Sequence, residues 1–318
     1  LDELPDDAFA TTVGGMGSPT VSNERLHRGD EPLRAMRALE RHMGRTFTHV
    51  LPGEIGGANS MAPMIVGAQA GLPVIDADGM GRAFPELQMD TFTIYGVAPT
   101  PGALADPRGH EVILDKITDA TTLERYARAV TIQMGGAAGY AFPPMTRQEL
   151  RRTAIPGTVS LAVRVGDAVR EARNAHTDPV DAALKESGGE RLFEGKIVDV
   201  ERRLVGGFAR GVLLIDGSGK HERDRLRIDF QNENLIATTS DERVLAVVPD
   251  LICLVDADTA EPITTEVVRF GLRVVVLGIP AHQMLKTPEA LAVIGPAAFG
   301  YDAVPYTPLS GQYGQGGQ

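Results

Sequence analysis

EIGGANS, residues 54–60, and DADGMGRAFPELQ, residues 76–88, are two polar turns that each follow an apolar segment. The segments TFTHVLP and LPVIDA before them are typical of strands, and SMAPMIVGAQA between them is typical of a helix that ends at Gly71. This strand, helix and strand order predicts a parallel pair whose following turns meet at one sheet edge. Glycines beside carboxylates, amides and an arginine at such an edge favour a functional site over an ordinary loop.

Helices and strands alternate through the rest of the first 188 residues. Apolar residues recur at helical spacing from Leu33 to Met43, with Asp30 as the predicted N-cap and Gly44 as the C-terminal stop. We expect further helices over TLERYARAVTIQM, GTVSLAVRVGDAVREAR and DPVDAALKE, a strand over TFTIYGVA, and a glycine-rich link over VGGMGSPTVS. The alternation predicts an α/β fold with a parallel or mixed sheet.

From Glu190 onward the sequence changes to short β-rich runs separated by turn residues, among them GKIVDVERRL, ARGVLLIDG and LRVVVLGIP. This pattern is typical of a compact β domain. We therefore expect an α/β domain over residues 1–188, a smaller β-rich domain over residues 189–309, and a disordered tail over residues 310–318, where apolar residues are few.

Composition excludes several classes of protein. The formal net charge of −11 disfavours nucleic acid or an anionic membrane surface as the main partner. One cysteine rules out an internal disulfide framework, and no apolar run reaches the roughly 18 residues of a membrane span. Together with the lack of a secretory leader pattern, these features predict a cytoplasmic protein.

Seven segments carry a resemblance to a known family. EIGGANSMAP, GLPVIDADGMGRAFPELQM, IPGTVSLA, GKIVDVERRLVGGFARG, QNENL, VPDLI and GPAAFGYD occur in this order, and together they resemble the S-methyl thiohydantoin desulfurase family. The resemblance extends from about Leu1 to Leu309. It implies an N-terminal α/β domain, a smaller β-rich domain and, in the characterised branch, hydrolytic loss of methanethiol from an S-methylated thiohydantoin ring. Members occur near or fused to hydantoinase and oxoprolinase proteins.

The second turn contains the predicted catalytic residues. Asp76 and Asp78 share one face in extended geometry, so they could bind one divalent metal ion or hold a ring N–H; alternatively Asp78 caps backbone amides before Gly79. Glu86 could act as general base toward water, or it could form a salt bridge to Arg82. Arg82 could bind a ring carbonyl or an oxyanion through paired donors, which a lysine could not supply.

The remaining polar groups are predicted to bind the substrate. Glu54 and Asn59 would complete the polar wall, and Gly56 and Gly57 would let the ligand approach. The other predicted binding residues are Gly79, Gly81, Gln88 and, in the C-terminal domain, Gln231 and Asn232.

Other kinds of active site find no support in the sequence. Cys253 lies in the apolar segment LICLVD, which predicts a buried core residue and not a nucleophile. No histidine pair has the spacing of a zinc site, no GxSxG elbow is present, and there is no nucleotide-binding motif. The sequence leaves a divalent metal open as a cofactor.

Two functions from different classes remain. The first is a hydrolase that acts on a five-membered cyclic imide or thioimidate, with water activated by an acidic group or a carboxylate-bound metal. The second is a non-catalytic subunit of a hydantoinase-like or oxoprolinase-like complex, in which the turns serve as a docking surface. Across the two functions, the expected partners are a small-molecule substrate and either a second copy of the chain or a hydantoinase-like protein. The density of carboxylates near glycines favours the enzyme.

Overall fold

The computed structural model describes residues 1–18, 21, 24 and 26–314, and the chain divides into two compact units, Leu1–Val159 and Ser160–Gln318. The predicted boundary between residues 188 and 189 lies further along the chain than this division. It is next to Glu190, where the second sheet begins. Of the predicted disordered tail, residues 315–318 lie outside the described residues. Residues 310–314 are described, and the backbone N–H of Gly314 donates to the Ser187 carbonyl at 3.1 Å.

The first unit contains a five-stranded mixed sheet in the order β2-β1-β6-β4-β5. Strands β1 and β2 are parallel, and the other neighbours are antiparallel. A separate two-stranded antiparallel sheet joins β3 to β7. The strands are β1 (Phe9–Gly17), β2 (His49–Leu51), β3 (Ala77–Asp78), β4 (Gly102–Ala105), β5 (Glu111–Leu114), β6 (Ala137–Thr146) and β7 (Ile155–Pro156).

The helices of this unit begin and end largely where the sequence predicts. Gly44 and Gly71 follow the first two helices in the left-handed conformation, at φ 65° and 66°, which glycine adopts without a Cβ penalty. The Asp119 carboxylate accepts from the Thr122 backbone N–H at 2.8 Å and so caps the helix that begins at Ala120. The helices are α1 (Glu31–Met43), α2 (Gly57–Ala70), α3 (Thr91–Ile94), α4 (Ala120–Gln133) and α5 (Arg147–Thr153).

Two predictions for this unit are wrong. The start of the supposed glycine-rich link belongs to β1, whose residues 13–17 pair with β6; residues 19, 20 and 22 of that segment lie outside the described residues. The supposed strand TFTIYGVA opens with the helical turn α3. The Asp90 carboxylate caps this turn by accepting from the Thr93 backbone N–H at 2.6 Å, which outweighs the strand preference of the β-branched residues.

The second unit is built on a seven-stranded antiparallel sheet in the order β12-β11-β10-β9-β8-β14-β13. The sheet curls into a half-barrel, so that β11 near one end contacts β13 at the other. Its elements are α6 (Thr158–Asn174), α7 (Pro179–Ser187), β8 (Glu190–Val205), β9 (Phe208–Gly217), β10 (Arg225–Gln231), β11 (Glu233–Thr239), β12 (Val244–Val247), β13 (Leu251–Asp256), β14 (Arg273–Ile279) and α8 (Pro288–Ile294). The predicted α/β domain followed by a β-rich domain is therefore confirmed.

The apolar segments before the two polar turns lie in the core of the first unit. Val50 of β2 forms a parallel bridge with Val74, so the two segments run side by side as predicted. Leu51, Ile75 and Phe92 pack in one buried cluster directly below the turns. Burial of these side chains stabilises the base of the turns, because each contributes about 1.5–3 kcal/mol when removed from water.

Within the described part of the chain, no helix combines the length and the hydrophobicity needed to cross a membrane. The cytoplasmic location stays a prediction.

Candidate active site

The two polar turns meet, as their positions after neighbouring parallel segments predict. The Gly79 backbone N–H donates to the Gly53 carbonyl at 3.0 Å. The Ile55 N–H donates to the Asp78 carboxylate at 2.8 Å, and the Phe84 N–H donates to Glu54 Oε2 at 3.3 Å. Each turn therefore supplies acidic acceptors for the backbone of the other.

Glycine is required where the turns approach most closely. A Cβ on Gly79 would lie 2.5 Å from the Phe92 ring, and one on Gly56 would lie 2.8 Å from the Ala83 Cβ. At Gly57 a Cβ would have no described atom within 4 Å. Gly56 and Gly79 thus permit the turn packing, whereas Gly57 faces open space beside it.

Asp78 is completely buried and binds the backbone of both turns. Its Oδ2 accepts from Ile55 at 2.8 Å, Met80 at 3.1 Å and Gly81 at 2.8 Å, and Gly81 has φ 61° to make this possible. Burial raises the pKa of Asp78 to about 7, against the opposing effect of these donors. The capping alternative for Asp78 therefore describes its contacts, and we assign it a positioning role.

The second oxygen of Asp78 lies beside the hydroxyl of Thr158. Within the described residues neither Asp78 Oδ1 nor Thr158 Oγ1 has a hydrogen-bond partner of good geometry, and both atoms are buried. The hydroxyl is nevertheless near enough to lower the pKa of Asp78 slightly, after burial and the backbone donors. A proton on Oδ1 would let the carboxyl donate toward this hydroxyl.

We expect Asp78→Ala to lower the free energy of unfolding by about 3 kcal/mol or more, because three buried N–H groups lose their acceptor at about 1–3 kcal/mol each. Asp78→Asn keeps an acceptor oxygen, so we expect it to remain within about 1.5 kcal/mol of wild type at pH 7. Urea unfolding at pH 7 measures both changes. Equal destabilisation by the two substitutions would contradict a stabilising role for the three backbone hydrogen bonds to Asp78.

The raised pKa of Asp78 also predicts how stability depends on pH. Between pH 4 and 7 the folded protein keeps a proton on Asp78, whereas the unfolded chain has released it at its ordinary pKa of about 3.9. Stability should therefore fall as pH rises through this window, by up to about 1.4 kcal/mol per pH unit from this one group. Asp78→Asn should lack that contribution, so unfolding at pH 5 and pH 7 should give a smaller slope than in wild type.

Glu54 lies at the junction of the turns and remains half-buried. Its Oε1 accepts from Asn59 Nδ2 at 2.7 Å. Burial raises the pKa of Glu54, and the bonds from Asn59 and Phe84 and the positive charge of Arg82 lower it by less. Glu54 is therefore a carboxyl with a raised pKa that is still partly open, which is the combination that a general base or acid needs.

Asn59 fixes Glu54 to β1, an interior strand of the sheet. Asn59 Nδ2 donates to the Gly15 carbonyl at 3.0 Å, and the Gly15 N–H donates to Asn59 Oδ1 at 2.7 Å. The side-chain amide thus pairs with both backbone groups of Gly15. Sequence reasoning missed Gly15 because its segment, VGGMG, has no alternating pattern and was interpreted as a link.

Arg82 is 5% exposed and supplies a positive charge beside Glu54. Its Nε donates to the Ala83 carbonyl at 3.0 Å, and its guanidinium carbon lies 4.8 Å from the centre of the Phe84 ring. Glu54 and Arg82 both contact Phe84, one through its N–H and the other through its ring, and the positive charge of Arg82 lowers the pKa of Glu54. The predicted neighbourhood of Glu54, Asn59, Asp78 and Arg82 is therefore present in the structure.

Two more acidic side chains near Glu54, Asp90 and Tyr140, have raised pKa values. Burial raises the pKa of Asp90 to about 6, although its carboxylate accepts from the Thr93 N–H. Burial also raises the pKa of Tyr140 in β6, and the charges of Glu54 and Asp90 raise it further. Tyr140 therefore keeps its proton throughout the physiological range.

The end of the second turn is held by α4. Arg128 of this helix donates to the Pro85 carbonyl at 2.9 Å and to Glu124 at 2.7 Å. Gln88 donates to the carboxylate of Glu86, so these two predicted site residues contact each other. Sequence reasoning missed Glu124 and Arg128, because their contact with the turn spans about 40 residues and no local pattern marks it.

Three predicted site residues remain, Asp76 in the first unit and Gln231 and Asn232 in the second. The Asp76 carbonyl accepts from the Gly157 N–H at 2.9 Å. Gln231 and Asn232 belong to the second unit, where Asn232 has φ 57° and exchanges bonds of 2.7 and 2.9 Å with Ala209. These bonds fix the turn between β10 and β11.

The structure brings no metal-binding cluster together at Asp76 and Asp78. Among the described residues, no group of three or more His, Cys, Asp or Glu side chains could hold an ion. Asp78 Oδ2 is already bound to three backbone N–H groups. We derive no catalytic step through a metal.

Cys253 lies on β13 opposite Leu277 of β14. It is half-buried, so the prediction of full burial is wrong; the edge position of β13 in the sheet leaves it partly accessible. Its neighbours are apolar, including Val255 and Val275 of the same cluster. These apolar neighbours differ from the electropositive surroundings of a reactive thiol.

We expect Cys253→Ser to retain most of the activity on any substrate that the wild type turns over. The reason is that the thiol packs in an apolar cluster of the second unit. Steady-state kinetics beside a melting curve check this. Loss of turnover in a folded variant would revive nucleophilic catalysis.

The fold and site define a two-part protein with an α/β unit, a curled β sheet, and a cluster of buried carboxyls where two glycine-containing turns meet. The chain belongs to the S-Me-THD-like family: residues 1–116 match its N-terminal domain and residues 118–309 its C-terminal domain. It is also similar to the X-ray structure of a protein from Chromobacterium violaceum, with 26% identity and a TM-score of 0.78 over 95% of this chain and 84% of the other. No curated protein matches the chain.

Proposed function

We propose that the protein is a hydrolase that acts on a hydantoin-like five-membered ring and, in particular, removes methanethiol from an S-methyl thiohydantoin. Membership of the S-Me-THD-like family supports the class of ring. The observation that carries the proposal is Glu54, a half-buried carboxyl with a raised pKa beside the buried cation Arg82. A base and a cation side by side suit hydrolysis of an uncharged ring.

In the proposed reaction, ionised Glu54 takes a proton from water, and the water oxygen forms a bond to the ring carbon that carries the S-methyl group. The C=N bond of the ring becomes a single bond, and the nitrogen takes up the proton that Glu54 had accepted. The C–S bond then breaks, and the new hydroxyl becomes a carbonyl as it passes its proton through Glu54 to the departing methanethiolate. One water is consumed, and the products are a hydantoin and methanethiol.

Arg82 has the complementary role in this proposal. Its guanidinium presents several N–H donors in a fixed plane, which suits a ring carbonyl oxygen on which negative charge accumulates. Its Nε donates to the Ala83 carbonyl, which holds the guanidinium beside Phe84, and in this proposal the guanidinium contacts the ring carbonyl of the substrate. Asn59 holds Glu54 in place, and Asp78 holds the backbone of both turns.

The test is to incubate the purified chain with S-methyl thiohydantoin and to follow methanethiol with a thiol reagent and hydantoin by mass spectrometry. We expect both products in equal amounts at a rate proportional to protein concentration. Catalysis must survive removal of other proteins by gel filtration.

No turnover by the folded chain on any hydantoin or S-methyl thiohydantoin would contradict the proposal. Activity that requires an added hydantoinase-like protein would favour the alternative, a non-catalytic subunit of a larger complex.

A further inference from the structure

A cavity of about 180 Å³ has no part in the chemistry described above. It is formed in the first unit by α1, α2, β1 and β6. Gly15, the strand residue whose N–H and C=O both bind Asn59, forms part of its wall. One side chain therefore connects the cavity wall to the Glu54 carboxylate, which accepts from the same amide at 2.7 Å.

Helix α2 extends the connection. Asn59, Ala62 and Val66 follow each other at three and four residues, so they occupy one face of the helix. Asn59 contacts Glu54, and the next two residues along this face line the cavity. A ring bound at Glu54 would accordingly direct a substituent along this face.

The wall of the cavity is mostly apolar, with Glu31 and His27 as its charged or titratable side chains. Its side chains include Met16, Pro32, Ala62, Ile65, Val66 and Ala138. Ile65 is 50% exposed, which leaves an apolar surface open at the entrance. An enclosed apolar space of about 150 Å³ is known to accept a benzene ring, so this cavity has the size for a branched alkyl or aromatic group.

The floor of the cavity consists of backbone. A Cβ on Gly139 of β6 would lie 2.4 Å from the Glu31 carbonyl carbon, so glycine is required for α1 to pack on this strand. Glu31 itself is 3% exposed, and its two oxygens accept from the N–H groups of Arg28 and Gly29 at 2.8 and 2.9 Å. The His27 Nδ1 lies 3.9 Å from the same carboxylate.

The charge of the wall disfavours an anionic occupant. Among the described residues that line the cavity none is lysine or arginine; Glu31 contributes a negative side chain, and His27, also in the wall, has its Nδ1 3.9 Å from Glu31 Oε1. A carboxylate substituent would therefore compete with Glu31 for His27. An uncharged apolar group meets only favourable contacts.

We infer that this cavity binds an uncharged apolar substituent of the ring substrate, of about four to seven carbons, and so determines which hydantoin-like compounds the enzyme accepts. This rests on the proposed function for the position of the ring. Each buried methylene contributes about fourfold in affinity, so an isobutyl group should tighten binding on the order of a hundredfold relative to the unsubstituted ring.

The test measures binding separately from turnover. Calorimetric titration of the wild type with hydantoins that carry no substituent, isobutyl, benzyl or carboxymethyl at the ring carbon should give the tightest binding for isobutyl and benzyl. Ala62→Leu fills the cavity and should weaken isobutyl binding at least tenfold, without changing binding of the unsubstituted ring. Ala68→Leu is the matched control, because Ala68 is exposed on the same helix.

Equal affinity for all four compounds, tighter binding of the carboxymethyl compound, or the same loss in both leucine variants would overturn the inference. Parallel assays with the matching S-methyl thiohydantoins separate it from the proposed function. Methanethiol release without a substituent preference would support the proposed hydrolase function and contradict the proposed role of the cavity. A binding preference that depends on Ala62, without methanethiol release, would support the role of the cavity and contradict the hydrolase function.

Discussion

Glu54→Gln should lower kcat on an S-methyl thiohydantoin by about 100- to 10,000-fold, the range that a general acid or base contributes. Glutamine preserves the shape of the side chain and an oxygen that can accept from Asn59 or Phe84, yet it cannot take a proton from water. KM should change little, since the substitution leaves the cavity and Arg82 in place. Steady-state kinetics with a melting curve measure both effects.

Glu3→Gln is the control for this substitution, because Glu3 is an exposed glutamate of the same unit. The pH profile adds a second readout. Since burial raises the pKa of Glu54, wild-type kcat should fall with decreasing pH at a value above the ordinary glutamate pKa of about 4.3. A Glu54→Gln enzyme with more than a tenth of wild-type kcat would remove Glu54 from the mechanism.

Arg82→Lys should lower kcat/KM by about a hundredfold or more, because an oxyanion donor contributes about 3 kcal/mol to the barrier. Lysine keeps the charge and loses the planar fork, and it also loses the Nε–H that donates to Ala83. A guanidinium that only stabilises the turn would affect stability and leave activity of the folded variant almost unchanged. Kinetics on the S-methyl thiohydantoin decide between these outcomes.

Arg125→Lys is the matched control for Arg82→Lys, since Arg125 is exposed on α4. Because Arg82 is buried, the melting temperature of the variant must be compared with that of wild type. A folded Arg82→Lys protein with kinetics within twofold of wild type would contradict the role of the guanidinium.

The sequence predicted the meeting of the two turns because the reason is local and general. Apolar segments joined by a helix form parallel neighbours, and the turns that follow them must lie side by side. The helix ends at Gly44 and Gly71 were predictable for the same kind of reason, since a left-handed C-terminal residue favours glycine.

The division of labour among the carboxyls was not predictable from spacing. Asp78 and Glu54 differ in burial and in backbone donors, and both depend on where distant segments pack. Gly15 and Arg128 contact the site from positions about 40 residues away in the sequence, and no sequence motif indicates these contacts. The strand predicted at TFTIYGVA failed because one side-chain cap at Asp90 outweighs β propensity.

Hydrolysis in water enriched in ¹⁸O tests the central claim most directly. We predict that the wild type releases one methanethiol for each hydantoin formed, that each hydantoin contains one ¹⁸O at the carbonyl that replaces the C–S bond, and that Glu54→Gln gives neither product above background. Release of methanethiol without ¹⁸O in that carbonyl, or equal product formation by the Glu54→Gln enzyme, would contradict water activation at Glu54.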